Sequence, residues 1–427
     1  MMYQFRLDDR SVQRSPLHSL RVQILWILAT AFALPLTAFV LLRGTAPLNL
    51  SSTYFTVALS LIAASVTLLT LRQVGSFYGL ALSKWVLPTY VFSWASAFGV
   101  LAFLRIPFSS TLLGFSFVIS LVSFFMLTRL MARTRKAICY LVPLGRAAEL
   151  DFTPRMPVIR LDRPHLPPEG NAIVVADMHA DLGDEWERTL TEAALNGNPI
   201  YHIAQLREAT TGQVQFNHLS ENSFGALIPA LAYNKIKRFL DTLASIILLP
   251  LLLPIILIVA LAIKLDSPGP ALFLQKRVGY RGRLFNMVKF RTMTVTENGD
   301  ERTASITNHN DQRITRLGRF LRPTRIDELP QVFNILAGQM SWIGPRPEAA
   351  SLSRDYSNEI ANYRYRHLVR PGITGWAQIH QGHVTSVEDV RNKLRYDFYY
   401  VKNISLWLDI VIALATLQVI FTRFGAK

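Results

Sequence analysis

Unbroken apolar runs of membrane length dominate the first third of the chain, and the hydrophobic period then changes twice. Residues 23–42, 54–71, 85–104 and 110–128 contain no charged side chain, and about 20 apolar residues suffice to cross a bilayer as a helix. The connections carry positive charge in alternation. Arg6, Arg10, Arg14 and Arg21 precede the first run, Arg43 alone follows it, Arg72 and Lys84 come next, then Arg105, then Arg129, Arg133, Arg135 and Lys136. Heavy and light flanks alternate, which predicts four spans with both ends of the bundle in the cytoplasm. Without an acidic group inside any span there is no sign of an ion pathway, so the bundle reads as an anchor.

Over 137–225 the apolar runs shorten. AICYLVPL, PVIRLD, AIVVAD and PIYHIAQL read as strands and EWERTLTEAAL as an amphipathic helix, an alternation that predicts a small parallel, Rossmann-like sheet. No G-x-G-x-x-G loop is present, so dinucleotide binding is not expected. His165, His179 and His202 are scattered, and read as structural or solvent-facing. Packing or oligomerisation is the expected role of this domain.

The last third opens with Lys235, Lys237 and Arg238 before the uncharged segment Leu243–Ile263. Its length allows a crossing, but Pro250 and Pro254 each delete a backbone donor one turn apart and bend a helix. Composition leaves crossing and re-entry open. A hairpin follows, ALFLQKRVGYRGRLFNMVKFRTM, turning at Gly279–Gly282. Arg313, Arg316, Arg319, Arg322 and Arg325 then recur every third residue beside Ile314, Leu317, Phe320 and Leu321, the stripe of a helix lying on an anionic surface. VRPGITGWAQI reads as a turn. The closing apolar helix, interrupted by Asp409, reads as interfacial, with Trp407 and Phe421 at headgroup level.

Composition narrows the partners. Half of the 427 residues are hydrophobic and only 17% are charged, with 45 Lys+Arg against 29 Asp+Glu. A net charge of +16 calls for an anionic partner, and the apolar bias favours lipid headgroups or phosphorylated substrates over nucleic acid. The single cysteine, Cys139, rules out an internal disulfide. The N-terminal residues show no cleavable signal pattern.

Between Arg322 and Glu348 stands RPTRIDELPQVFNILAGQMSWIGPRPE, with Asp327 and Glu328 adjacent among Arg322, Arg325 and Arg346. Neighbouring carboxylates repel unless cations balance them. Two carboxylates, arginines and a hard cation such as Mg²⁺ are apparatus for phosphate chemistry. A lone Asp-Glu pair would read as a helix end, but this one has company.

KRFLD (237–241), the Pro-containing apolar segment, KFRTM (289–293), RIDELPQ (325–331), SWIGPRPE (341–348), VRPGITGWAQ (369–378) and YDFYYVKNIS (396–405) together resemble the bacterial sugar transferases, the polyprenyl-phosphate hexose-1-phosphate transferases. The resemblance covers 233–425; the N-terminal half is similar in topology to the long form of the family. It implies a mixed α/β membrane protein: a tail and four-helix bundle (1–136), a degenerate Rossmann-like domain (137–232), and a mainly helical catalytic domain (233–427) with a re-entrant helix over 243–263 and interfacial helices. The implied reaction transfers hexose 1-phosphate from a UDP-sugar, UDP-glucose or UDP-galactose, to undecaprenyl phosphate and releases UMP, priming exopolysaccharide, capsule or O-antigen synthesis. By the same resemblance Asp327 is the nucleophile and Glu328 the Mg²⁺ ligand. Lys289, Arg322 and Arg346 would contact phosphate, and Asp397 matches an acidic position of the family pattern without an assigned role.

Such an enzyme belongs in a bacterial inner membrane with its catalytic face in the cytoplasm, where UDP-sugars are, which tips 243–263 to re-entry. Membrane lipids are then partners, nucleic acid is not, and a homodimer is compatible. Two departures stand out. Leu253-Pro254 replaces the family's Ser-Pro at the membrane break, and His380-Gln381-Gly382-His383 follows WAQ where short members read Asn-Gly-Arg. Among rival functions, a nucleic-acid binder lacks a recognition motif, and a transporter lacks charged spans and an internal repeat. An ordinary glycosyltransferase would release UDP rather than UMP.

Overall fold

A computed structural model describes residues 16–45, 50–76, 82–134, 138–148, 158–167, 172–214, 231–294, 313–381 and 387–422. The polar tail with Arg6, Arg10 and Arg14, the basic pair Arg135–Lys136, and Gly382 with His383 lie outside them. The chain divides into two compact units, Met1–Thr211 and Gly212–Lys427.

Four long apolar helices open the first unit: α1 (Leu20–Arg43), α2 (Ser51–Ser76), α3 (Leu82–Leu104) and α4 (Ser110–Thr134). A π-helical stretch, Leu28–Ala33, lies inside α1. With hydrocarbon outside, polar side chains turn to one another. Arg72 donates to Gln23 Oε1 at 2.5 Å, and the Tyr90 hydroxyl meets the Phe117 carbonyl at 2.6 Å. Each helix is long and apolar enough to cross a membrane.

Beyond the helices a four-stranded parallel sheet has the order β2-β1-β3-β4, from β1 (Ile138–Leu141), β2 (Val158–Arg160), β3 (Ala172–Ala176) and β4 (Ile200–His202). Cys139 pairs with both Val158 and Ile173, at the centre of a core with Leu141, Val175 and Leu206. Helix α5 (Gly183–Leu195) covers the other face through Ala193 and Leu190. The expected strand over PIYHIAQL is shorter than its apolar pattern. It stops at His202, and α6 (Ile203–Thr211) starts at once. His202 caps that helix: its Nδ1 accepts the Ala204 N–H at 3.0 Å while Gln205 Oε1 accepts the His202 N–H at 3.2 Å. This reciprocal arrangement satisfies two free donors as a Ser/Glu box would.

In the second unit α7 runs without interruption from Leu231 to Asp266, with Pro250 and Pro254 inside it. The hairpin expected over 243–263 does not show as two helices with a break. Each proline removes one donor from the ladder, and the flanking turns hold. The β5 (Leu272–Val278)–β6 (Leu284–Phe290) hairpin is antiparallel from Leu272↔Phe290 to Val278↔Leu284. Arg281 sits left-handed (φ 56°) in its turn.

The arginine stripe forms only the six-residue α8 (Arg316–Leu321). Arg322 still has helical dihedrals (φ −66°, ψ −52°), but Pro323 brings no backbone donor to extend the ladder, and a left-handed Arg325 (φ 58°) redirects the chain into the 3₁₀ turn Ile326–Gln331. After α9 (Val332–Leu336), β7 (Ser341–Ile343) pairs in parallel with β8 (Gly372–Thr374), where a turn was expected. Gly344 and Gly372 lie backbone to backbone there, and neither site has room for a Cβ.

Helices α10 (Ala350–Glu359), α11 (Trp376–His380), α12 (Val387–Lys402) and α13 (Leu406–Thr422) complete the unit. Asp409 does not mark a wet face of α13. It is 6% exposed and accepts from Lys237 Nζ (2.7 Å), Tyr233 (2.6 Å) and Tyr400 (2.8 Å). The apolar residues Leu408, Val411 and Ile412 are wholly covered by protein, so this part of α13 is packed against its own unit rather than interfacial.

Candidate active site

The 3₁₀ turn between α8 and α9 brings Asp327 and Glu328 against β6, where Lys289 projects. Glu328, 3% exposed, is gripped by three cations. Arg346 Nη2 stands 2.6 Å from Oε1 and its Nη1 3.4 Å from Oε2, while Arg325 Nη1 (3.3 Å) and Lys289 Nζ (3.6 Å) also approach Oε1. Burial alone would raise its pKa, but Arg346 and Lys289 outweigh it and hold Glu328 well below the carboxylate range. These cations therefore favour the ionised form of Glu328.

Its neighbour behaves oppositely. Asp327 is raised to about 6 by burial and by repulsion from Glu328. Its buried Oδ1 has no hydrogen-bond partner among the described residues, and an orphan of that kind in a charged site points to function. Lys289 is pushed down to about 8 by burial, against the pull of Glu328. Two adjacent carboxylates thus divide, one locked as an anion and one poised near neutrality, the pattern that separates chemical roles.

A second layer fixes Arg346. Arg366, 3% exposed, donates to the Arg346 carbonyl at 2.8 Å and lies 2.9 Å from Asp397 Oδ2. Asp397 is 1% exposed, and burial raises its carboxyl despite Arg366. Glu348 gathers Lys393 (2.5 Å), Arg366 (3.7 Å) and Arg277 (4.0 Å), and Arg277 also donates to the Pro347 carbonyl at 2.8 Å. The loop 345–348 is thereby laced from both sides. Asn334 ties α9 to the hairpin, accepting the Val288 N–H at 2.9 Å and donating to the Asn286 carbonyl at 2.8 Å.

Of the residues expected from sequence, Asp327, Glu328, Lys289 and Arg346 meet in one cluster. Asp397 lies behind it as the partner of Arg366, and not among its lining groups. Arg322 caps the end of α8 and makes no ion pair with the dyad among the described residues; Arg325 takes that position. Sequence reasoning missed Arg277, Glu348, Arg366 and Lys393 as a network, although the first two stand in the hairpin and SWIGPRPE blocks.

A positively framed pair of unlike carboxylates, built from three separated motifs, calls for comparison with known proteins. The bacterial sugar transferase model matches residues 232–423. An Aeromonas hydrophila UDP-N-acetylgalactosamine-undecaprenyl-phosphate N-acetylgalactosaminephosphotransferase is 43% identical over 344 residues, 80% of this chain and 81% of its own. The chain belongs to the bacterial sugar transferases.

Two other relatives of this transferase match less than half of the chain. UDP-glucose:undecaprenyl-phosphate glucose-1-phosphate transferases from Klebsiella pneumoniae and Caulobacter vibrioides are 45% and 43% identical. They match over 42% and 47% of this chain, and over 39% and 76% of their own. The site described above falls wholly inside residues 232–423, the part matched by the family model.

Proposed function

We propose that this transferase moves a sugar 1-phosphate from a UDP-hexose or UDP-N-acetylhexosamine to undecaprenyl phosphate, releasing UMP, as the priming step of a bacterial surface polysaccharide. The observation that carries the reading is the orphaned Asp327 carboxylate beside a Glu328 already neutralised by cations. Asp327, largely ionised at pH 7, attacks the sugar-proximal phosphorus. A phosphorus–oxygen bond to Asp327 forms as the bridging phosphorus–oxygen bond breaks, and UMP leaves with the electron pair. The lipid phosphate then attacks the same phosphorus and returns Asp327 as carboxylate. A carboxylate is a weak nucleophile towards an anionic phosphoryl group, so positioning and charge neutralisation by Arg346, Arg325 and Lys289 supply most of the catalysis. The planar guanidinium of Arg346 suits bidentate phosphate contact.

The residues fit Mg²⁺. Asp327 Oδ1 is unpartnered and Glu328 Oε2 has only the 3.4 Å contact to Arg346, so two carboxylate oxygens remain for a cation that keeps waters and substrate phosphates as its other ligands. When bound, the ion would shield the diphosphate and the departing UMP.

We place the second unit on the cytoplasmic face of the inner membrane, with α7 entering and leaving by that face. In support, both ends of α7 rest on the unit's own backbone. Arg238 bonds the carbonyls of Ile335 and Leu336, and Asp266 Oδ2 accepts the Leu317 N–H at 3.4 Å.

The test is purified protein with undecaprenyl phosphate, Mg²⁺ and a panel of UDP-glucose, UDP-galactose and their N-acetylated forms. UMP release and a phosphosugar adduct on Asp327 are expected, with both absent in Asp327→Asn. UDP as product, or full turnover by that variant, overturns the reading.

A further inference from the structure

Far along the sequence from the transferase motifs, three ligand-type side chains converge at the carboxyl ends of two neighbouring parallel strands. Asp177 follows β3, His179 stands in the turn after it, and His202 ends β4. Asp177 Oδ1 lies 3.2 Å from His202 Nε2 and 3.9 Å from His179 Nδ1, and the two imidazole nitrogens are 2.8 Å apart. We propose that Asp177, His179 and His202 bind one first-row transition-metal dication, with Zn²⁺ the ion that fits.

Geometry supports the assignment first. Zinc bonds of about 2.0–2.1 Å in a tetrahedron separate the ligand atoms by roughly 3.3 Å, and the three observed edges straddle that value. Two imidazoles with one carboxylate suit zinc, whereas magnesium and calcium favour oxygen alone.

The carboxylate is also held in place. Asp177 is 4% exposed; its Oδ2 accepts the Arg146 N–H at 3.0 Å and its Oδ1 the His179 N–H at 3.1 Å. Fixed second contacts of this kind orient a metal ligand. Gly145 (φ +60°) lets the turn after β1 come this close, since a Cβ there would stand 2.7 Å from Asp177 Oδ2.

Open parallel sheets bind ligands outside the carboxyl ends of their strands. Here a buried carboxylate already takes the backbone amide after β1, so that edge favours a cation over a phosphate. The His179 side chain is 57% exposed, leaving the fourth position to water.

One bond must yield. In the free protein His202 Nδ1 accepts the Ala204 N–H, which keeps its proton on Nε2. Coordination through Nε2 moves that proton to Nδ1 and gives up the helix cap, at a cost of about fivefold in affinity.

The experiment uses the untagged full chain in detergent, stripped with chelator and then given Zn²⁺ or Co²⁺ alone. One equivalent of zinc retained on desalting, and a tetrahedral Co²⁺ visible spectrum, are expected. His179→Ala, at an exposed position, should lose both with affinity down at least roughly tenfold, while sugar-phosphate transfer stays at the wild-type rate. The variant keeps Asp327 and Glu328, so zinc bound there cancels in the comparison. Equal zinc retention by wild type and His179→Ala, or an octahedral Co²⁺ spectrum indifferent to the substitution, overturns the site and leaves a hydrogen-bonded triad.

Discussion

Asp327 and Glu328 share a peptide bond yet titrate far apart, because Arg346, Arg325 and Lys289 all reach Glu328 while burial isolates Asp327. With Asp327 at about 6, the reactive anion is about nine-tenths formed at pH 7 and is lost as pH falls. The acid limb of kcat/KM should therefore drop tenfold per unit below about pH 6, measured as UMP release from pH 4.5 to 8. A limb near pH 4 would mean Asp327 is not the group that must ionise. Arg325 offers a separate test, since its backbone is left-handed and its guanidinium is 3.3 Å from Glu328. Arg325→Gly and Arg325→Ala remove the same charge-assisted bond, so both should slow turnover roughly tenfold. Only glycine relieves the left-handed strain, so it should be the more stable variant by about 1 kcal/mol, read by thermal unfolding in detergent. The dyad was legible because its members are adjacent and framed by arginines. Arg277, Glu348, Arg366 and Lys393 were not: they meet across loops, and each alone reads as a solvated charge.

At the scale of elements, long apolar helices, the sheet and the β5–β6 hairpin followed from hydrophobic period. The exceptions have local causes. His202 ended a strand early by capping α6 with a ring nitrogen, a role that residue preferences assign to Ser or Asp. Pro323 cut the arginine stripe to six residues. Asp409 belongs to the interior because Lys237, Tyr233 and Tyr400 surround it, which no pattern within its own helix announces. Helix α7 runs through both prolines, and each missing backbone donor is a place where a helix can bend. Pro250→Ala together with Pro254→Ala should straighten the helix, favour a full crossing and abolish activity in cells. The readout is periplasmic-side labelling of single cysteines placed near positions 300 and 385 in a Cys139→Ser background. Reagent reaching these positions while both prolines are intact would refute a cytoplasmic catalytic face.

For the molecule as a whole, charge and hydropathy pointed to a membrane protein with an anionic partner, and the resemblance carried by seven ordered blocks located the chemistry in one half. The chemistry-bearing residues of the other half are spread over short strands, so nothing in their spacing suggested that Asp177, His179 and His202 converge. That half also contains the chain's one thiol. Cys139 is fully buried at the middle of the parallel sheet, and burial pushes it up to about 12. A thiolate is the reacting species, so the folded chain should be inert to maleimide, and modification should occur only when the sheet opens. The natural protein thus carries an internal clock. Its labelling rate in intact membranes under mild denaturant would give the opening free energy of the N-terminal unit alone, while the transferase unit, which has no cysteine, stays silent. Rapid labelling without denaturant would show that the sheet does not shield Cys139.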